Sequence, residues 1–236
     1  MNPKFKLILN SVNKPKIPEL VLDYRFTNNT LAVDRSSYHN NGVLSGGAVL
    51  KTDTLPFYVM DFTNPTSLIT VPKTASINDI SKITFRCWFY YNGAGAFNSG
   101  RLFDKSNRSL TVNSSLNRLE FAQFFTGNYV SCSSPNSGLS MGNWYCIQVM
   151  YDATSPANNP VIMIDGALVT ATRFQTPTGT ALSDSANDLI LGNAVAGNRS
   201  LNGYESEVEI YNVMLTVVEG KRWYNSTCGK YKKTKI

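Results

Sequence analysis

The feature that most constrains the fold is a repeated two-residue alternation with no helical pattern between the repeats. Leu20, Leu22, Tyr24 and Phe26 alternate with Val21, Asp23, Arg25 and Thr27. Ile83, Phe85, Cys87, Phe89 and Tyr91 alternate with Thr84, Arg86, Trp88 and Tyr90. Side chains of a strand point to opposite faces in turn, so these runs read as strands with one face buried. Trp144–Asp152 and Val161–Ile164 are further apolar runs, and Asp165-Gly166 leads into Ala167-Leu168-Val169, a tight-hairpin signature. The nearest thing to an amphipathic helix is Val213–Tyr224, a turn or two. Parallel strands need long crossovers, so many strands without intervening helices imply an all-β, antiparallel two-sheet β-sandwich. The sandwich is expected over 19–219, with no repeat or linker dividing it. An extended arm over 1–18 holds three prolines and four lysines, with a short strand at Phe5–Leu9. A basic tail over 220–236 follows.

Charge resolves along the same boundaries. The chain carries +6 overall, which by itself suggests nucleic acid. Lys4, Lys6, Lys14 and Lys16 give the arm +4, and residues 219–236 contribute +5, which leaves −3 for the body. Basic ends of this kind are either solvated tails or docking segments for an acidic partner or a larger assembly. Lys230-Tyr231-Lys232-Lys233-Thr234-Lys235 interleaves an aromatic with lysines, but the run is too short and generic to specify nucleic acid.

Several chemistries are excluded. His39 is the only histidine, so no multi-histidine site can form and a Ser-His-Asp triad would have to use it. Cys87, Cys132, Cys146 and Cys228 lie far apart with no paired spacing, which suits buried free thiols rather than zinc or a disulfide scaffold. No run reaches the roughly 20 apolar residues of a membrane span, and no signal-peptide core is recognised at the start. Sequons at Asn28, Asn107, Asn113, Asn198 and Asn225 then reflect an Asn- and Ser-rich composition.

The order of motifs resembles laminin-G-like, concanavalin-A-like jelly-roll domains from about residue 20 to 219. Leu22-Asp23-Tyr24-Arg25-Phe26 is similar to the family's first strand, and Asp34-Arg35-Ser36-Ser37-Tyr38-His39-Asn40-Asn41-Gly42 to the loop that follows it. Met60-Asp61-Phe62, Leu68-Ile69-Thr70-Val71-Pro72, Ile83–Phe89 and Gly100–Lys105 come in the family's order. Trp144–Asp152, Ile164-Asp165-Gly166, Leu191-Gly192-Asn193 and Leu201–Asn212 complete the series. The resemblance implies a concanavalin-A-like jelly roll of the kind used in sugar binding and adhesion, although fold alone does not fix function.

Three constellations could carry chemistry. The Asp34–Gly42 loop is rich in oxygen donors, and the resemblance pairs such a loop with a late-strand acid, so Asp34, Asn40 and Glu207 are candidate ligands for a structural calcium ion. Ser206 departs from the family's acid at that place, and the same loop reads equally as an Asx-turn. Glu205, Glu207 and Glu209 stand two apart, so on a regular strand all three share one outward face while Val208 and Ile210 face the core. Some jelly-roll glycosidases use such spacing, and retaining enzymes need carboxyls roughly 5 Å apart. Tyr129, Phe97 and Tyr38 sit in loop-like settings and are candidate sugar-stacking rings, whereas Trp88 and Trp144 read as structural.

The expected function is a non-enzymatic, lectin-like binding or adhesion module that recognises carbohydrate, a cell-surface glycan in particular. Docked by its arm, it would be displayed on a larger assembly such as a phage virion, as a decoration or fibre protein, or on an extracellular surface. The alternatives are a structural assembly protein without ligand and a jelly-roll glycoside hydrolase using Glu205 and Glu209.

Overall fold

A computed structural model describes residues 19–26, 32–52 and 57–236. The arm, with Lys4, Lys6, Lys14, Lys16 and the strand expected at Phe5–Leu9, lies outside the described residues. The strands are β1 (Leu20–Tyr24), β2 (Val43–Ser45), β3 (Val49–Lys51), β4 (Val59–Asp61), β5 (Leu68–Val71), β6 (Lys82–Tyr91), β7 (Ser99–Asp104) and β8 (Arg108–Asn113). They continue as β9 (Arg118–Ser133), β10 (Asn143–Asp152), β11 (Val161–Ile164), β12 (Ala167–Val169), β13 (Thr172–Gln175), β14 (Thr178–Ala181), β15 (Leu189–Leu191) and β16 (Gly203–Tyr211). One helix, α1 (Val217–Thr227), runs into a 3₁₀ turn at Cys228–Tyr231.

Every pairing among these strands is antiparallel, and two sheets form the sandwich. The first runs β12-β11-β10-β6-β16-β4-β3, with β1 also on β16. The second runs β13-β9-β8-β7-β15-β5-β2, with β14 also on β9. The core between them takes the expected faces: Leu22 and Tyr24 of β1, Phe85, Cys87, Phe89 and Tyr91 of β6, and Val208 and Ile210 of β16. The β11–β12 hairpin turns through Asp165 and Gly166 with φ of 52° and 74°, the left-handed pair that a two-residue turn needs to match strand twist.

The C-terminal basic stretch, expected as a tail, is part of the folded body. Thr216 caps α1 and Glu219 reciprocates, an N-terminal capping box that satisfies two orphan backbone donors. The helix lies on the outer face of the first sheet. Gly220 permits the close approach, because a Cβ there would meet Gln148 Nε2 at 2.6 Å. Trp88, Trp144, Cys146, Tyr204, Trp223, Tyr224, Cys228 and Tyr231 form a second apolar cluster beneath the segment. Tyr231 stacks on Trp88 with centroids 3.9 Å apart, and Trp88 Nε1 donates to Thr227 Oγ1 at 2.9 Å. With one face on the core and the other on this cluster, β6 and β16 are buried on both sides.

Candidate functional site

The three strand acids do not share a face. Ser206 pairs with Trp88 of β6 but Glu209 pairs with Arg86, so β16 advances three residues while β6 advances two. This bulge, with Glu207 at φ 50°, reverses the parity of the strand. Before it, Tyr204 and Ser206 face the helix and Glu205 points into the sandwich. After it, Val208 and Ile210 point inward and Glu209 faces the helix.

Each acid then meets a different environment. Glu205 is fully buried, neither carboxyl oxygen has a hydrogen-bond partner, and desolvation pushes its carboxyl well above the usual range. Glu209 Oε2 accepts from Arg86 Nε and from the Tyr211 hydroxyl, each at 2.7 Å, and Oε1 pairs with Arg25. Arg86 is held between the Tyr211 ring at 4.9 Å and the Trp223 ring at 4.5 Å. Glu207 pairs with Lys230. The expectation that all three acids face outward is therefore corrected by the bulge. Glu205 and Glu209 lie on opposite sides of the sheet, where they cannot flank one glycosidic bond.

The calcium candidates are already engaged by other partners. Asp34 is buried, and its carboxylate already accepts four hydrogen bonds. Oδ1 takes Asp23 N at 2.8 Å and Ser36 N at 2.9 Å; Oδ2 takes Ser36 Oγ at 2.6 Å and Asn40 N at 2.7 Å. A carboxylate has about four lone-pair sites, so none is left for a cation. Asn40 is equally committed: its amide donates to Val21 O and Ser76 Oγ, each at 2.8 Å, and its Oδ1 accepts from Thr74 Oγ1 at 2.7 Å. Glu207, on β16, keeps its own lysine. The set does not fit calcium, and among the described residues no group of three or more His, Cys, Asp or Glu side chains is placed to hold a metal ion. Asp34 and Asn40 instead tie the Tyr38 loop to the segment 74–76.

The three candidate rings occupy three places. Phe97 is 78% exposed at the Asn113 end of β8, where Ser114 N donates to Asn98 O, and Arg199 covers its ring at 4.7 Å. Tyr129 packs on Phe124 at 4.9 Å, and Phe124 N donates to Asn107 O beyond the other end of β8. Tyr38 stands at an open depression of about 640 Å³ whose wall includes Thr74, Ser76, Asn78, Asp79 and Asn212. A smaller depression of about 300 Å³ shares Asp79, Ile80 and Ser81 with it.

The walls of this double depression are fastened rather than loose. Asp79 N donates to Asp184 Oδ1 and Asp184 N donates to Asp79 Oδ1, both at 2.8 Å, a reciprocal clasp between segments 105 residues apart. Arg108, buried below, donates from Nη2 to Ile80 O at 2.7 Å. Among the described residues, Asp79 is the one carboxylate in the larger depression, and no lysine, arginine or histidine lines it. Of the residues lining the larger depression, the sequence singles out Tyr38 but not Thr74, Ser76, Asn78, Asp79 or Asn212. The Thr74–Ser81 run of hydroxyls and amides was the available signal, but its convergence with residues 184 and 212 is tertiary.

A family model described as the concanavalin A-like lectin/glucanases superfamily matches residues 63–219. Among curated proteins, none matches the chain by sequence. Solved structures match it in fold. The binding domain of Paraclostridial Mosquitocidal Protein 1 superposes with a TM-score of 0.68 at 15% identity, covering 88% of this chain and 52% of its own. The binding domain of botulinum neurotoxin DC, solved in complex with rat synaptotagmin II, gives 0.64 at 15% identity, covering 88% and 51%. A botulinum neurotoxin type C structure, from work on cell entry dependent on interaction with two ganglioside molecules, gives 0.60 at 17% identity, with the same coverage of 88% and 51%. The chain spans about half the length of these structures.

Proposed function

We propose, from the premise that the chain belongs to the concanavalin A-like lectin/glucanases superfamily, that it is a non-enzymatic lectin-like module binding a neutral glycan in the depression beside Tyr38. The observation that carries this reading is the make-up of that depression. One aromatic ring stands beside hydroxyls, amides and a single carboxylate, on loops fixed by side-chain hydrogen bonds. Sugar rings present a C–H face and a rim of hydroxyls, and a site of this kind offers an apolar surface with a few placed polar groups. With Asp79 as its one formal charge among the described residues, the depression disfavours sialylated or sulfated ligands.

Two of the neighbours are binding domains by name, and the third is described by the dependence of cell entry on gangliosides, which supports glycan or cell-surface recognition here. The separation of Glu205 from Glu209 supports binding without hydrolysis. Display on a larger assembly, a virion or an extracellular surface, rests on the four lysines, unopposed by any acid, in residues 1–18.

A glycan array separates the readings. Wild type is expected to bind neutral hexose- or N-acetylhexosamine-terminated glycans. Tyr38→Ala is expected to weaken that binding roughly tenfold or more, about 1.4 kcal/mol, while Phe97→Ala and Tyr129→Ala do not. Absence of any glycan binding, or loss only with Phe97→Ala or Tyr129→Ala, would sink this assignment.

A further inference from the structure

Lys105 stands where a loop-binding cation would stand. It follows β7 in the tight turn to β8, where its own N–H donates to Arg108 O at 2.8 Å and fixes the direction of the stem. Its side chain is 5% exposed, so the ammonium does not reach water as lysines usually do. Nζ lies 2.8 Å from the Asn187 carbonyl oxygen, 3.0 Å from the Asp184 carbonyl oxygen and 3.0 Å from Asn78 Oδ1, with Asp184 Oδ1 at 3.3 Å. An ammonium has three protons, and here four oxygens converge on it. Two backbone carbonyls, a side-chain amide and a carboxylate are the hard oxygen donors that hold calcium in proteins.

The oxygens come from the two segments that wall the depressions, 78–79 on one side and 184–187 on the other. Their dipoles point at one buried spot and would repel one another without a positive charge there. The Asp79–Asp184 clasp brings the Asp79 carboxylate beside the same spot, and Lys105 with Arg108 balances the two acids. The expected calcium ligands, by contrast, are saturated at Asp34 and engaged elsewhere at Glu207.

We propose that Lys105 is a built-in cation: its ammonium occupies the position of a structural metal ion, so the walls of the depression are positioned without calcium. Lys105 is in this sense a positioning residue for the binding loops. The inference concerns how the loops are held and stands whatever ligand the depression takes.

Thermal melts of the full chain test it. Wild type is expected to show the same Tm in chelator and in millimolar calcium. Lys105→Ala leaves buried oxygens without a positive charge and is expected to melt roughly 10 °C lower. Millimolar calcium, or n-propylammonium, which replaces the missing stem and ammonium, is expected to recover much of that loss by binding the folded state. Tetramethylammonium at equal ionic strength has no N–H to donate and is expected to recover none. Should Lys105→Ala not fold in water, refolding yield is read with the same additions and the same expectations. A rise in the wild-type Tm with calcium overturns the proposal. So does a Lys105→Ala protein that melts with wild type, or one that neither cation rescues. Because glycan binding is not the readout, failure here is distinct from failure of the glycan assignment.

Discussion

Glu205 sets the sign of one part of the protein's pH dependence. Its carboxyl sits in the core with neither oxygen partnered, and desolvation raises its pKa. The folded state therefore keeps this proton above the pH, about 4.3, at which an unfolded glutamate releases it. From there upward, unfolding releases a proton, so this residue's contribution falls as pH rises, until the folded carboxyl itself ionises. Glu205→Met fills the space without polar atoms and is expected to stabilise the protein by about 1–3 kcal/mol at neutral pH. Melts at pH 5 and pH 8 check this: the gap between variant and wild type should widen at the higher pH. A variant less stable than wild type at both would contradict the burial account. The residue illustrates what sequence reasoning could not see. The Glu205-x-Glu207-x-Glu209 spacing is plain in the sequence, but nothing in it announces a bulge at Glu207, a non-glycine residue at φ 50°. One extra residue in the register moved Glu205 from the expected outer face to the core.

At the scale of elements, the strands were legible because burial on one face imposes period two, and β6, β10, β16 and the Asp165-Gly166 hairpin formed where the pattern placed them. The C-terminal segment was only half legible. Its capping box, Thr216 with Glu219, marks the helix start, but six basic residues between 221 and 235 masked the apolar face made by Trp223, Tyr224 and Tyr231. Those aromatics, rather than the charges, are expected to hold the segment down. Tyr231 is 4% exposed and stacks on Trp88, so Tyr231→Ala is expected to cost about 3–5 kcal/mol, the range for deleting a buried aromatic. Lys232, exposed just beyond, is expected to matter by less than about 0.5 kcal/mol when changed to Ala. Denaturant melts of the two variants provide the comparison. Equal losses would contradict the dominance of aromatic packing.

For the whole molecule, the net charge of +6 does not describe the depression proposed to bind ligand. Part of the basic C-terminal charge is spent internally, on the Lys230–Glu207 and Lys233–Asp165 pairs. Among the described residues, the depression beside Tyr38 carries one carboxylate and no cation. The fold was legible from alternation and motif order, whereas the depression was legible only in Tyr38. Its other walls come from the segment 74–81 and from Asn212, which meet only in the folded chain. The most direct test of the central claim is amide chemical-shift mapping of the full chain titrated with a neutral oligosaccharide selected from the array. Perturbations confined to residues 36–41, 74–81 and the surroundings of Asn212 are the predicted result. Perturbations centred on Phe97 and Arg199, or on Phe124 and Tyr129, with residues 74–81 silent, would contradict it.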